Sequence, residues 1–257
     1  MTIPLACPAC RSLRLAPRGI AAQALVHELQ ARFTDARIFE LSSDTAKSPK
    51  KQVRVMHEFS QEPQGILVAT QLVFSQAPPP LDLIVVSAAE QLLTISDFRT
   101  EEQFFSTIMR FRGMLQEKGR LIIQAWHPDR ALLKLAVQDN WEEFAQQELA
   151  LRKSLSWPPF RRIAKLTLKH PDAAKADEQS EQMLKKLKRT LITTHYSARA
   201  EILGPSSGLI ARPRGKHQRI IIVKWKPKGE FDTLFEKKLA EIIPPQWDIT
   251  INPSSIL

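Results

Sequence analysis

Residues Leu203–Lys226, LGPSSGLIARPRGKHQRIIIVKWK, combine a glycine- and proline-containing stretch, a cluster of cations and a continuous apolar run. The signals at 204–208 predict a loop, because glycine allows a positive φ and proline lacks a backbone donor. The run Ile220–Val223 predicts a buried strand. Basic residues precede that strand, and four of them are candidate nucleic-acid-binding residues: Arg212, Arg214, Lys216 and Arg219. Such a charge run is also typical of a solvated loop.

Charge is unevenly distributed along the 257 residues, whose formal net charge is +10. Residues 152–226 hold 18 Lys+Arg and 5 Asp+Glu, whereas residues 1–151 carry a net charge of −1 and residues 227–257 of −2. A basic region of this kind is typical of proteins that bind a polyanion, since phosphate binding releases condensed counterions. We therefore predict salt-sensitive nucleic-acid binding with weak sequence selectivity. An acidic membrane surface is the rival ligand, but it requires an amphipathic helix with a bulky apolar face.

Length and composition favour a soluble protein of two domains. With 257 residues, of which 43% are hydrophobic, the chain can form two cores. Its apolar runs fall far short of the roughly 20 residues that a membrane-spanning helix needs, so we expect no membrane partner. No secretory signal is recognisable at the amino terminus, and a cytoplasmic location is the default expectation.

The two cysteines, Cys7 and Cys10, form a single CxxC motif. A tetrahedral zinc site needs four ligands, and the sequence holds neither a second CxxC nor an HxxxH to complete it. A structural or vestigial turn is therefore favoured. A metal ligand shared with another molecule and a redox pair are the alternatives.

Short apolar runs separated by helical patterns predict a parallel sheet in the first part of the chain. Asp97 is the expected amino-terminal cap of a long helix. About the first 135 residues should therefore form an open, mostly parallel sheet with helices on both faces. The expected helices are 20–33, 49–59 and 98–118, the expected strands are 36–41, 66–68, 83–86 and 121–125, and residues 70–81 should form a loop.

The remaining residues predict a smaller α+β domain with helices gathered on one side of a sheet. Paired prolines at Trp157-Pro158-Pro159 should end the first of its helices. Helical stretches are expected between 129 and 154, further helices at 173–193 and 231–242, and strands at 163–168, 220–225 and 247–251. The predicted fold class is thus α/β followed by α+β.

Basic and aromatic residues also accompany the first strand of this domain. A period of two places Arg161, Lys165 and Lys169 on one face of a sheet, with Arg162 at its rim. The aromatic residues Trp157, Phe160 and Trp225 are candidates for stacking on unpaired bases, although large rings more often belong to a core. The cations at 185–189 are more typical of the solvated face of a helix.

Seven segments, in chain order, carry a family resemblance: CPACRSLRLAPRG at 7–19, ILVATQLVFSQAPPPLDLIVV at 66–86, SDFRTEEQFF at 96–105, GRLIIQAWHP at 119–128, QELALRKSLSWPPFRRIAKL at 147–166, LGPSSGLIARPRGKHQR at 203–219 and ITINPSSIL at 249–257. They resemble the bacterial primosomal protein N-prime family, the PriA replication-restart helicases. The resemblance implies a remnant of a zinc-binding module at 1–18, a RecA-like second helicase lobe at 19–135, and a carboxyl-terminal DNA- and partner-binding domain at 136–257.

The family's nucleotide-handling motifs are degenerate in this sequence. No GxxxxGK[ST] occurs, and the segment ATQLVFSQ at 69–76 lacks the glycines and the lysine of the family motif that it resembles. The shorter segment IMRFRGM at 108–114 replaces the arginine-finger segment, and Arg110 and Arg112 are the candidates for that position. We therefore expect no autonomous ATPase or helicase activity, and neither ATP nor zinc as a resident cofactor.

Two functions follow from the resemblance. The first is a helicase-inactive, DNA-binding PriA-like protein in primosome assembly and replication restart. Its implied partners are forked or single-stranded DNA, the single-stranded-DNA-binding protein and other primosome components. The alternative is one half of a split 3′-to-5′ DNA helicase, whose first lobe another chain supplies and whose ATP hydrolysis requires that chain.

Overall fold

The structure is a computed structural model that describes residues 22–95, 97–193, 198–208, 215–227, 229 and 233–256. Four of the predicted site residues lie outside this range, namely Cys7, Cys10, Arg212 and Arg214. The chain divides into two compact units: Met1–Thr94 with Ser106–Arg130, and Ile95–Phe105 with Ala131–Leu257. The domain boundaries at 18 and 135 stay predictions.

The first unit contains two parallel strand pairs. Strand β1 (Ile38–Leu41) pairs with β2 (Ile66–Ala69), and β3 (Leu81–Val86) pairs with β4 (Leu115–Ile123). The parallel pairing was predicted, but within the described residues the strands form two separate sheets instead of one. A 3₁₀ segment and three prolines lie between β2 and β3, and proline has no N–H with which to extend a ladder.

Among the described residues three helices contribute to this unit, and two of them follow the predicted spans closely. Helix α1 covers Ala22–Arg32 and α2 covers Pro49–Ser60. The hydroxyl of Ser48 accepts a hydrogen bond from Lys51 N, and Pro49 occupies the first turn, where a missing N–H costs nothing.

The predicted helix at 98–118 is wrong at both ends. Helix α3 covers Thr100–Arg112, and β4 already begins at Leu115 instead of 121. Pairing with β3 overrides the helical pattern there, because Leu81 N donates to Met114 O and Leu81 lies opposite Leu115. Gly119 permits this approach, since a Cβ at that position would lie 2.7 Å from Leu81 O.

Two helices lie within the range 129–154, where helical stretches were predicted. Helix α4 (Ala131–Gln138) ends at Asp139, whose φ of 58° interrupts the helix. Asn140 then caps α5 (Trp141–Ser154) by accepting a hydrogen bond from Glu143 N.

A four-stranded antiparallel sheet forms the centre of the second unit. Its strands, in the order β6-β7-β5-β8, are β6 (Ala200–Ser207), β7 (His217–Trp225), β5 (Arg162–His170) and β8 (Trp247–Ile251). The mixed α/β class of the chain is therefore confirmed, with parallel pairs in the first unit and an antiparallel sheet in the second.

The predicted loop at 204–208 belongs largely to strand β6. Gly204 has a φ of +96°, and the β6–β7 register shifts between Leu203 and Ser206. Glycine and proline therefore mark an irregularity inside an edge strand rather than a turn, which is a common position for both residues. A Cβ on Gly204 would lie 2.6 Å from Ile220 O, so β7 also approaches this point closely.

The two faces of the sheet are covered differently. The helix face packs its apolar side chains against α6 (Ala173–Thr193) and α7 (Leu234–Ile242). The opposite face, here called the outer face, carries the smaller cluster of Ile163, Ile220 and Ile222, against which Trp157 and Ile256 pack. The helix-face core includes Ala164, Leu166, Leu168, Met183, Leu187, Ile221, Val223, Trp225, Phe235 and Leu239.

None of the helices in the described ranges combines the length and the apolar composition that a bilayer crossing needs.

Candidate nucleic-acid interface

The predicted cations of β5 and β7 divide between the two faces of the sheet. Lys165 and Lys169 share the outer face with Ile163, as the period of two predicts. Arg162 and Arg219 lie on the helix face, because they stand opposite the core residues Trp225 and Leu168. The sheet therefore does not bring these four cations together on one surface.

The two helix-face arginines are engaged by carboxylates of the covering helices. Arg162 Nη1 lies 2.5 Å from Glu236 Oε1 of α7, and Arg219 Nε lies 2.5 Å from Asp177 Oδ1 of α6. The hydrogen bond from Arg219 lowers the pKa of Asp177. Both arginines thus connect the sheet to its helices, and a phosphate would have to compete with these ion pairs.

The outer-face lysines are also partly engaged. Lys165 Nζ donates to Ser255 O at 3.4 Å, and burial lowers the pKa of Lys165 while Asp97 opposes that shift. Lys169 is about half exposed and lies 3.4 Å from Asp248 Oδ2. Lys216, by contrast, is exposed at the entrance of β7.

The two tryptophans predicted to stack on bases are engaged within the domain. Trp225 is fully buried and packs edge-on against Phe235, so its assignment as a stacking residue is corrected. Trp157 stacks on Phe98 with ring centroids 5.2 Å apart and planes at 10°. Lys224 Nζ lies 3.7 Å from the centroid of the same Trp157 ring. These rings order the domain, as buried aromatic residues commonly do.

Lys224 is a buried cation that the sequence analysis did not single out. Its side chain is 6% exposed and lies 3.8 Å from Glu201 Oε2. Burial lowers the pKa of Lys224, Arg161 lowers it further, and Glu201 opposes both effects. The Trp157 ring and the Glu201 carboxylate thus stabilise an ammonium group that Arg161 repels.

Three exposed or half-exposed cations form a row across one end of the sheet. We call Arg161, Arg199 and Lys226 the cation row. Lys226 N donates to Arg199 O at 2.9 Å, and Arg161 Nη1 donates to the same carbonyl at 3.1 Å. Arg162, Trp225 and Ala200 stand opposite one another in β5, β7 and β6. If this register is continued by one residue, Arg161, Lys226 and Arg199 stand opposite one another on the outer face.

The cation row has no partner of opposite charge within the described part of the chain. None of its members forms an ion pair there, and Arg199 and Lys226 are exposed. Like charges placed opposite one another in a sheet destabilise it. A row of free cations that the fold brings together therefore suits an anionic ligand that bridges them.

Sequence reasoning missed two of the three row residues. Arg161 was predicted, but Arg199 and Lys226 lie one position outside their strands, and no local pattern connects them. The available signal was a cation next to each of two strand ends, Arg199 before Ala200 and Lys226 after Trp225. Only the strand register shows that these two cations are neighbours.

The two arginine-finger candidates lie on α3 in the first unit. The guanidinium of Arg110 lies 3.8 Å from the ring centroid of Phe74, and its Nη2 donates to Phe74 O at 3.3 Å. Phe74 in turn packs against Phe111 with ring centroids 4.8 Å apart. Arg110 thus binds the degenerate segment 69–76, while the role of Arg110 and Arg112 as arginine fingers stays a prediction.

No group of three or more His, Cys, Asp or Glu side chains that could hold a metal ion occurs among the described residues. The CxxC motif lies outside them.

Comparison with known proteins connects this basic domain to one family. Residues 153–253 match the family described as the primosomal protein N C-terminal domain. The carboxyl-terminal part of this chain is similar to the PriA family. The match spans β5 to β8 and includes every residue of the cation row.

Similarity to curated PriA proteins extends beyond that domain. The chain is 28% identical over 241 residues to the replication restart protein PriA of Bacillus subtilis, which covers 92% of this chain and 29% of the relative. It is 26% identical to the PriA of a Synechocystis species, covering 98% of this chain and 30% of the relative. The chain thus spans about a third of the length of the curated relatives that it matches.

Proposed function

We propose that this chain is a DNA-binding protein of the PriA family that acts in primosome assembly and replication restart. The observation that carries the proposal is the cation row, three positive charges that form no ion pair with any described residue, on a domain that matches the PriA carboxyl-terminal domain. Its ligand is forked or single-stranded DNA, and its protein partners belong to the primosome, including the single-stranded-DNA-binding protein.

The row is suited to phosphate binding for two reasons. Arg162 and Arg219 would have to break ion pairs with carboxylates before they could contact DNA. Among the described residues, the row's cations have no such ion pairs to break. The row also lies on a sheet end whose backbone is held by hydrogen bonds, so binding orders few additional atoms. Phosphate contacts of this kind position a nucleic acid without reading its sequence.

The proposal includes the two-part organisation of the chain. The first unit, with its two parallel strand pairs, corresponds to a degenerate RecA-like second helicase lobe. The second unit corresponds to the DNA- and partner-binding domain. These 257 residues contain no triphosphate-binding loop, so the chain neither hydrolyses ATP nor unwinds DNA by itself.

Charge reversal of the row tests the proposal. The triple variant R161E/R199E/K226E and the unmodified chain are compared by fluorescence anisotropy on labelled oligodeoxythymidine and on a labelled fork, between about 50 and about 200 mM salt. We expect the variant to lose at least tenfold in affinity at low salt. The slope of the logarithm of the association constant against the logarithm of the salt concentration should become shallower by about 2, since each lost phosphate contact reduces this slope by about 0.7 to 0.9.

A second triple variant separates local binding from overall charge. K185E/K188E/R189E changes the net charge equally, but its residues lie on the exposed face of α6. This control should retain most of the affinity. Equal losses in the two variants, or none in the row variant, would overturn the proposal.

ATP turnover distinguishes the split helicase. Hydrolysis that appears only with a partner chain carrying a triphosphate-binding loop, and that Arg110→Ala removes, would establish the enzyme instead of the binding module. Arg110→Ala also frees Phe74, so a circular dichroism spectrum must confirm that this variant is folded.

A further inference from the structure

An exposed aromatic residue directly precedes the first residue of the cation row in the chain. Phe160 is 37% exposed and is followed by Arg161. Unlike the two tryptophans, whose rings pack within the domain, Phe160 presents apolar surface to solvent. An exposed ring beside a positive patch is the combination that binds unpaired nucleotides, since every base has a face to stack.

The turn that carries Phe160 is held at several points. Trp157 O accepts hydrogen bonds from Phe160 N at 3.0 Å and from Arg161 N at 3.4 Å. The two prolines between Trp157 and Phe160 restrict φ on the approach to the ring.

Neighbouring side chains also contact this turn. Trp157 is stacked on Phe98 and contacts Lys224, while Arg152 Nη1 donates to Pro158 O at 3.5 Å. A ring on such a supported turn loses little freedom when a ligand stacks on it.

We infer that Phe160 and the cation row form one subsite for an unpaired nucleic-acid strand, with a base stacked on the Phe160 ring and the adjoining phosphates on Arg161, Arg199 and Lys226. This inference rests on the proposed function and adds the selectivity of that site. Bases in a duplex are stacked on their neighbours and offer no face to the ring, whereas duplex phosphates can still bind the row.

The test compares Phe160→Ala with the unmodified 257-residue chain on labelled oligodeoxythymidine and on a blunt duplex of equal length. We expect the variant to bind the single strand about five- to 150-fold more weakly, the range measured for loss of one stacked base. Affinity for the duplex should stay within about twofold. The salt slope on the single strand should not change, because the phosphate contacts remain.

Two further variants control for folding and for general loss of apolar surface. Phe160→Trp keeps a stacking ring and should retain single-strand affinity. Phe33→Ala removes a ring that is 50% exposed in the first unit, far along the chain from the row, and should change neither affinity. Circular dichroism and a thermal melt establish that each variant is folded.

The outcomes separate this inference from the proposed function. Unchanged single-strand affinity in Phe160→Ala overturns the subsite, and so does an equal loss on single strand and duplex. Either result leaves the proposed function standing as long as R161E/R199E/K226E lowers binding. If that triple variant binds both ligands like the unmodified chain, the proposed function itself fails.

Discussion

The guanidinium of Arg152 lies 2.8 Å from the carboxylate of Glu102, although 50 positions separate them in the chain. The same guanidinium lies 2.7 Å from Glu148 and reaches the carbonyl oxygens of Phe98 and Pro158. Burial opposes a charge at this site, but the hydrogen bonds that Arg152 donates to both carboxylates hold the pKa of Arg152 above its ordinary value. One cation therefore ties α5 to the segment carrying Phe98 and to the turn carrying Phe160.

Loss of this cation should destabilise the second unit strongly. Arg152→Met leaves the buried Glu148 carboxylate without its partner, and such changes cost about 3 to 5 kcal/mol. Urea unfolding followed by tryptophan fluorescence measures the loss. The double variant Arg152→Met/Glu148→Met removes both charges and should recover much of the stability. A single variant within about 1 kcal/mol of the unmodified chain would show that the network is dispensable.

The carboxyl-terminal tail is held on the outer face by Asp97. Asp97 Oδ2 accepts hydrogen bonds from Ser255 Oγ and Ile256 N, each at 2.8 Å, and Asp97 Oδ1 accepts one from Arg99 N. We expect Asp97→Ala to lower the free energy of unfolding by about 1 to 3 kcal/mol, because several partly buried donors lose their acceptor. Asp35→Ala, at an exposed aspartate, is the control and should change little. Equal melting temperatures for the two variants would contradict the role of Asp97.

The irregularity in β6 depends on glycine at position 204. Gly204→Ala places a side chain at a φ of +96° and a Cβ 2.6 Å from Ile220 O. We expect it to lower the free energy of unfolding by about 2 kcal/mol or more. Gly215→Ala has a similar φ of +79° but meets nothing within 4 Å, and should cost only about 1 kcal/mol. Thermal melts of the two variants isolate the effect of the close approach, and equal shifts would argue against it.

A carboxylate at the start of α6 should make the free energy of unfolding decrease as the pH falls into the acidic range. Asp172 Oδ1 accepts a hydrogen bond from Lys175 N at 3.0 Å, and this bond lowers the pKa of Asp172. A carboxyl group whose pKa is lower in the folded state contributes stability above its unfolded pKa and loses it as the pH falls through its folded pKa. Asp172→Ala should therefore lower the melting temperature at pH 7 and match the unmodified chain in strong acid. A difference that is constant with pH would refute this assignment.

Repulsion within the cation row should lower the stability of the domain, while the same charges favour DNA binding. Arg199→Gln removes one of two like charges, Arg199 and Lys226, that stand opposite each other one position beyond the ends of β6 and β7, and such repulsion is worth about 0.2 to 1 kcal/mol. The variant keeps the backbone carbonyl that Arg161 and Lys226 use. We expect it to be as stable as the unmodified chain or slightly more so, and to bind DNA several times more weakly. A variant that loses stability along with affinity would indicate that Arg199 supports the fold.

Elements with a strong period and clear end signals were predicted from the sequence. Helix α6 matches its predicted span 173–193, because its apolar positions repeat at helical spacing after Pro171 and Asp172. Strand β8 matches the span 247–251. The predictions failed where a tertiary contact competes with local preference, as at β4, which pairs with β3, and at β6, where glycine and proline stand inside a strand.

The sequence by itself determined that positive charge is concentrated between residues 152 and 226 and that strands and helices of a PriA-like domain carry it. Only the tertiary structure decided which of the cations among the described residues are held in ion pairs. Neighbouring positions in a strand point to opposite faces, so Arg162 and Arg219 meet carboxylates of the covering helices. Arg161, Arg199 and Lys226 come from three different strand ends, and they meet because the register of an antiparallel sheet aligns residues that are far apart in the chain.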